Sequence, residues 1–321
     1  MVPARDGLAA LNLPFAARAA RLTPPARAAV MMVLAALLFS TMGVCVKIAS
    51  AQYGTGEIVF YRGLTGALMM ALLARCNGGS LLTSLGAMHF WRSASGVVAL
   101  CLWFYAIGGL PLATAMTLNY MSSVWMALFL VGGAVMLGNG RVDGRLVGTV
   151  LLGFAGVACI LRPTIEQQQL WHGLMGLLSG MIAATAYLQV TALGRAGEPE
   201  YRIVFYFSLG SVGAGLAMLV WSGPSAHTVG GAALLVAIGL LATSAQLLMT
   251  RAYAIGRPLV NASLQYLGIA FSFAYGMLFF GDRMTALALG GIMLIIVAGL
   301  SATLLRKRSA PSDSINAPTE T

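Results

Sequence analysis

Two cations stand in apolar surroundings where a charge needs a reason. Arg62 lies inside EIVFYRGLTGAL, which begins at Glu57, and Lys47 falls within VCVKIAS. A charged side chain near the centre of a membrane helix costs on the order of 2.5 to 3.5 kcal/mol on insertion scales, so one that is retained tends to face a cavity. Arg62 is about 7 Å along a helix axis from Glu57, and two readings compete. Its guanidinium snorkels to the nearby interface, or it shares an inward face with Thr65, Gly66 and Met69 and meets a ligand. Lys47 shares a face with Ser40 and Gly43. It either pairs with Glu57 across a short loop or serves that same ligand. Two cations entering one aqueous cavity would attract an anionic group such as a carboxylate, with arginine offering a bidentate fork.

Neutral polar side chains recur at helical spacing: Asn119, Ser122 and Ser123; Thr185 and Gln189; Thr243, Gln246 and Thr250; Asn261, Gln265, Ser272 and Tyr275. Singly, each can be glue between helices, worth about 0.6 to 2 kcal/mol. Taken together they read as the wall of a wet cavity. The candidate substrate-binding residues are Lys47, Arg62, Asn119, Ser123, Gln189, Gln246, Gln265 and Tyr266. No catalytic or metal-binding set accompanies them. His89, His172 and His227 fall in loops or at span ends with no partner at metal spacing. Cys45, Cys76, Cys101 and Cys159 form no CxxC pair, no Walker loop is present, and no cofactor is expected. Glu57, Asp143, Glu166 and Asp282 all sit at span ends. That leaves Glu57 for any proton relay, or else exchange or facilitated movement without one.

The elements that must hold these residues are membrane helices. Of the residues, 59% are hydrophobic and 9% charged, against about 25% charged in ordinary soluble domains. The net charge of +10 is scattered singly between apolar runs, so nucleic acid is excluded as a partner and the charge is read as topology. With roughly 20 apolar residues needed per crossing, ten spans are predicted: 28–49, 57–75, 92–108, 111–137, 144–162, 172–194, 202–221, 231–253, 257–280 and 284–305. The first run exceeds a signal-peptide core and should stay as a helix. The 111–137 stretch is read as one tilted span. Of 19 basic residues, 15 fall on the side of the N-terminus, among them Arg92, Arg195, Arg202 and Arg251; both termini are therefore cytoplasmic.

The phrase IVFY occurs at 58–61 and again at 203–206, where Phe207 stands in the place of Arg62. YAIGGLPLATAMTLNY (105–120) likewise matches YAIGRPLVNASLQY (253–266). Five spans per half means that the second half is upside down relative to the first, an arrangement common in secondary transporters. These stretches, with GFAGVACILRP and the run to GMLFFGD, resemble the EamA-type ten-helix members of the drug/metabolite transporter superfamily. The expected fold is an all-α integral membrane protein of ten transmembrane helices in two inverted five-helix repeats. A cytoplasmic tail covers 1–27, the repeats 28–163 and 172–305, and a disordered tail 306–321. The resemblance implies efflux or exchange of a small organic metabolite by alternating access, in the inner membrane of a bacterium. An intramembrane enzyme and a non-transporting scaffold are the rivals. The partners are a small-molecule substrate and the lipid bilayer, and a homodimer is compatible. A lone anion lying off the pseudo-symmetry axis would need a cation from one half only, with Phe207 the apolar counterpart.

Overall fold

The computed structural model describes residues 23–136, 167–255, 264–282 and 285–309, with isolated positions 148, 151–153, 155–156, 159 and 261. Most of the span read at 144–162, most of the start of the span read at 257–280 and most of both tails lie outside these described residues. Every element described is helical. They are α1 (Pro24–Ala49), α2 (Thr55–Cys76), α3 (Gly86–Gly109), α4 (Leu112–Tyr120), α5 (Ser122–Met136), α6 (Gln167–Arg195), α7 (Glu200–Ser222), α8 (Val229–Ile255), α9 (Leu267–Phe280) and α10 (Ala286–Ser309). Six of them, α1, α2, α3, α6, α7 and α8, are long and apolar enough to cross a membrane.

Local chemistry sets the ends. Pro24 and Pro25 open α1 where their missing N–H groups cost nothing. Pro111 and Pro199 stand just before α4 and α7. Gly281 ends α9 in the left-handed region, at φ 61°, and the following Asp282 N–H closes onto Gly276 O at 3.1 Å. The single tilted span expected over 111–137 is two helical segments, α4 and α5, meeting at Met121. Helix α3 starts at Gly86, six residues before the predicted span, so Arg92 is an interior helix position rather than an end.

The packing places α2 against α7, α3 against α6, and α1 against α8. The first pair is unusually close because glycines line the seam. A Cβ on Gly63 would lie 2.7 Å from Val212 N and 2.8 Å from Ser208 O, and one on Gly215 would lie within 2.8 Å of Gly56 O. Gly56, at the start of α2, touches Met218, near the end of α7. The two helices are therefore antiparallel, and the start of each adjoins the end of the other. Gly180 lets α6 come equally close to α4: a Cβ there would sit 2.6 Å from Leu118 O. Several of the largest fully buried side chains, Phe104, Ile107, Leu112, Met116 and Leu118, come from α3 and α4.

Candidate substrate site

A cavity of about 60 Å³ opens between these helices, and its wall draws on both halves of the chain. Phe39 of α1, Arg62 of α2 and Arg92, Gly96 and Trp103 of α3 face it from the first half, with Asn119 and Tyr120 of α4. Ala183 and Tyr187 of α6, Phe207 of α7, Gln246 of α8 and Gln265 face it from the second. On a scale of roughly 15 Å³ per water, the space holds about four waters.

Its chemistry is set by two guanidiniums. Arg62 is 4% and Arg92 3% exposed, so neither reaches an interface. Arg62 Cζ lies 4.9 Å and Arg92 Cζ 4.1 Å from the centroid of the Phe207 ring, within range of a cation–π attraction. Those two distances cap the separation of the cations at 9.0 Å. Gly96, one turn beyond Arg92, leaves the space its guanidinium occupies: a Cβ there would collide with Arg92 Nη1 and lie 3.0 Å from Phe207 Cε2. No carboxylate pairs with either arginine among the described residues. The wall also has a consistent polarity. Its buried polar atoms lacking a partner are Arg62 Nε, Arg92 Nε and Nη1, Trp103 Nε1 and Gln246 Nε2, all of them donors.

The other candidates separate into two groups. Asn119, Gln246 and Gln265 line the cavity with Arg62. Asn119 Nδ2 donates to Ser179 Oγ at 2.6 Å, and Gln265 Oε1 accepts from Tyr253 OH at 3.4 Å. Ser123, Gln189 and Tyr266 stand outside the wall; Gln189 Oε1 accepts from Ser95 Oγ at 3.3 Å. Lys47 is also elsewhere, and its partner is not Glu57. Its Nζ donates to Leu110 O at 2.8 Å, lies 3.8 Å from Asp282 Oδ1 and sits over the Phe280 ring. Asp282 Oδ2 in turn accepts from Leu112 N at 3.1 Å, so this carboxylate caps the start of α4 while holding Lys47. Arg92 was counted from sequence as a topology charge, and the structure makes it a cavity residue.

Polar clusters close the two ends of the α2–α7 pair. At the start of α2, Glu57 is 2% exposed; its Oε1 lies 3.0 Å from His227 Nε2 and its Oε2 accepts from Ser225 N at 3.4 Å. The rings of Tyr53 and Tyr61 flank His227 at 5.4 and 5.5 Å. At the start of α7, Glu198 Oε2 lies 3.2 Å from His89 Nε2 and accepts from Arg202 Nη1 at 3.0 Å, while Oε1 accepts from Thr83 Oγ1 at 2.8 Å. The Tyr206 ring lies 4.6 Å from His89. Burial pushes the Glu198 carboxyl up, but the hydrogen bonds from Thr83, His89 and Arg202, with the Arg202 charge, outweigh it and hold the group below its ordinary range.

Comparison with known proteins places this architecture. The EamA-like transporter family matches residues 26–162. A protein of Pseudomonas aeruginosa strain UCBPP-PA14 named pseudopaline exporter CntI is 34% identical over 86% of this chain and 95% of its own. An uncharacterized transporter of Helicobacter pylori J99 is 27% identical over 85% of this chain and 93% of its own. A protein of Rhizobium johnstonii named riboflavin transporter is 25% identical over 86% and 91%. A solved crystal structure shares the fold at TM-score 0.64 and 18% identity, over 89% of this chain and all of that one.

Proposed function

The chain belongs to the EamA-like transporter family, as a multi-pass membrane protein, and from that premise we propose that it is a secondary transporter exporting a small organic anion. One observation carries the substrate class: Arg62 and Arg92 are buried together with no carboxylate among the described residues paired to either. Two unbalanced cations in a low-dielectric site are costly, and a bound anion with good hydrogen bonds is what offsets that cost. The donor-only set of free atoms on the wall favours an acceptor-rich ligand, and two negative charges match the site best. Asn119, Gln246 and Gln265 orient it, and Phe207 gives the guanidiniums an aromatic face while no anion is bound.

Alternating access is the mechanism this geometry favours. Small-molecule pockets run to about 300–1,000 Å³, so a cavity of about 60 Å³ must expand before it admits a metabolite. With a cross-chain polar cluster at each end of α2 and α7, expansion requires one cluster to part. Inverted five-helix halves are supported by the packing: α2–α7 maps onto itself under such symmetry, and α3–α6 maps onto α1–α8. Setting Arg62 and Arg92 aside as cavity residues, 14 basic residues lie on the N-terminal side against Lys47, Arg162 and Arg283 on the other. That bias supports both termini being cytoplasmic, and the bacterial relatives support a bacterial inner membrane. A cysteine at position 197 should then label only from inside, and one at 226 only from outside.

The test begins with solutes that accumulate in cells lacking the gene and continues with their flux in reconstituted vesicles. The transported solute is expected to be an anion whose flux is lost in Arg62→Gln and Arg92→Gln. A neutral or cationic solute carried at the same rate by the wild type and by both variants would overturn the assignment.

A further inference from the structure

The clusters at the two ends of α2 and α7 are the same device written twice and inverted. In each, a histidine from one half meets a glutamate from the other, and the tyrosine that ends the IVFY phrase packs on the imidazole. His227 Nε2 lies 3.0 Å from Glu57 Oε1 beside Tyr61, and His89 Nε2 lies 3.2 Å from Glu198 Oε2 beside Tyr206. The connecting segments follow the same exchange. The segment after α7 reaches the start of α2 through Ser225 N, and the segment after α2 reaches the start of α7, where Arg202 and Tyr201 both donate to Ser80 O. Parting the halves at either end has to break a histidine–glutamate contact.

The two copies differ in charge. His227 is faced by Glu57 and Tyr61 from α2 and by Tyr53 from the α1–α2 segment. The nearest lysine along α1, Lys47, is engaged with Asp282. This contact is an ion pair when the imidazole carries a proton; Glu57 Oε1 accepts no hydrogen bond, so without the proton only the dipole of a neutral ring faces the carboxylate. His89 is faced by Glu198, Arg202 and Tyr206, and its own helix carries Arg92 less than one turn further on. There Arg202 already supplies a permanent cation to Glu198, and a proton on His89 would add a second.

We infer that His227 and Glu57 form a proton-binding latch on the extracytoplasmic mouth, closed by external acid, whereas the matching His89–Glu198 latch on the cytoplasmic mouth is held by Arg202 regardless of pH. The assignment of sides and the alternation of mouths rest on the transporter reading above. A proton taken up when the outer mouth closes returns to the same side when it opens. The latch therefore biases which mouth is open and drives no uphill transport by itself. In acid surroundings it keeps the outer mouth shut until cytoplasmic substrate is loaded.

The experiment uses the full chain with its four native cysteines replaced by alanine and Ala183→Cys, on the cavity wall, as the reporter. A membrane-impermeant maleimide is applied to intact cells across external pH 5.5 to 8, the range in which histidine changes charge. Rates are divided by those of the same reporter in His227→Gln, which keeps a polar side chain opposite Glu57 without a titrating ring and cancels the intrinsic pH dependence of the thiol. The normalised outer rate is expected to rise about fivefold to tenfold from pH 5.5 to 8, the order expected when a close partly buried ion pair loses one of its charges. Glu57→Gln should flatten it as well, which guards against a folding defect particular to His227→Gln. In inside-out vesicles the wild-type rate, normalised to His89→Gln, should be flat, and Arg202→Gln should make it pH-dependent. A flat outer rate, or an inner mouth as pH-sensitive as the outer in the wild type, overturns the latch. A reporter never labelled from outside at any pH instead removes the alternating-access reading, and the inference with it.

Discussion

Phe207 is the position where the attraction of two buried cations to one ring can be measured directly. Substituting Phe207→Leu keeps an apolar side chain of similar size and removes the π face over which Arg92 Cζ stands at 4.1 Å and Arg62 Cζ at 4.9 Å. A desolvated cation–π contact is worth about 2 kcal/mol. With the smaller volume loss added, Phe207→Leu should cost roughly 2 to 4 kcal/mol. Arg92→Met should do the opposite of what losing a contact suggests. It removes an unbalanced charge close to Arg62, so its net effect should be near zero or stabilising. The informative quantity is the double-mutant coupling. In the Arg92→Met background Phe207→Leu should cost about 1 to 2 kcal/mol less than in the wild type, measured as unfolding free energy in one detergent micelle. The Arg62–Phe207 cycle should give the smaller coupling, because its distance is longer. Additivity within about 0.5 kcal/mol in both cycles would show that the ring is only a packing residue, and the account of how the empty site holds its charge would be wrong.

Further outcomes follow from the same geometry. Gly96→Ala should turn the Arg92 guanidinium out of its place without removing the charge; transport should fall, and the lost Arg92–Phe207 contact, with the new Cβ 3.0 Å from that ring, should cost about 1 to 2 kcal/mol in thermal unfolding. Gly63→Ala meets backbone at 2.7 and 2.8 Å instead, so it should destabilise the protein by about 1 to 3 kcal/mol, seen as a lower midpoint in thermal unfolding and poorer yield in membranes. Glu198 has its carboxyl held below the ordinary value of about 4.3. Its stabilising contribution is therefore complete above that value and lost as pH falls through the lower folded one. Glu198→Gln should be less stable than the wild type at pH 7, and the gap should close in a stability profile as pH falls through the lowered value of the folded state.

The sequence located the helices well because a membrane span is a property of local composition. It misread what depends on helix register or on distant partners. Arg92 looked like a charge at a span end because the apolar run begins there, yet the helix starts at Gly86, through residues whose mixture of Met, His and aromatic side chains gives no clear period. The signal that could have found it is Arg92 followed one turn later by Gly96, the spacing that leaves room for a guanidinium to fold along its own helix. Lys47 offered no such clue. Its partner Asp282 is in the other half of the chain, and only the assembled bundle brings the end of α9 to the end of α1. The same holds for His227 and Glu57.

The repeated phrase shows where the two halves stop being equivalent. IVFY recurs because both copies build the same seam, α2 on α7, with Gly63 and Gly66 packed on Ser208 and Ser211 and a tyrosine turned to a histidine at each end. One residue later the copies diverge, Arg62 in one and Phe207 in the other. An arginine in both would have put a third guanidinium beside Arg62 and Arg92, with no acid among the described residues near enough to balance any of them. A phenylalanine in both would have left Arg92 as the lone cation of the cavity, able to neutralise one negative charge and no more. On the proposed alternating-access reading, arginine facing phenylalanine keeps the repeated framework at both ends of the seam and confines the asymmetry to the cavity between them.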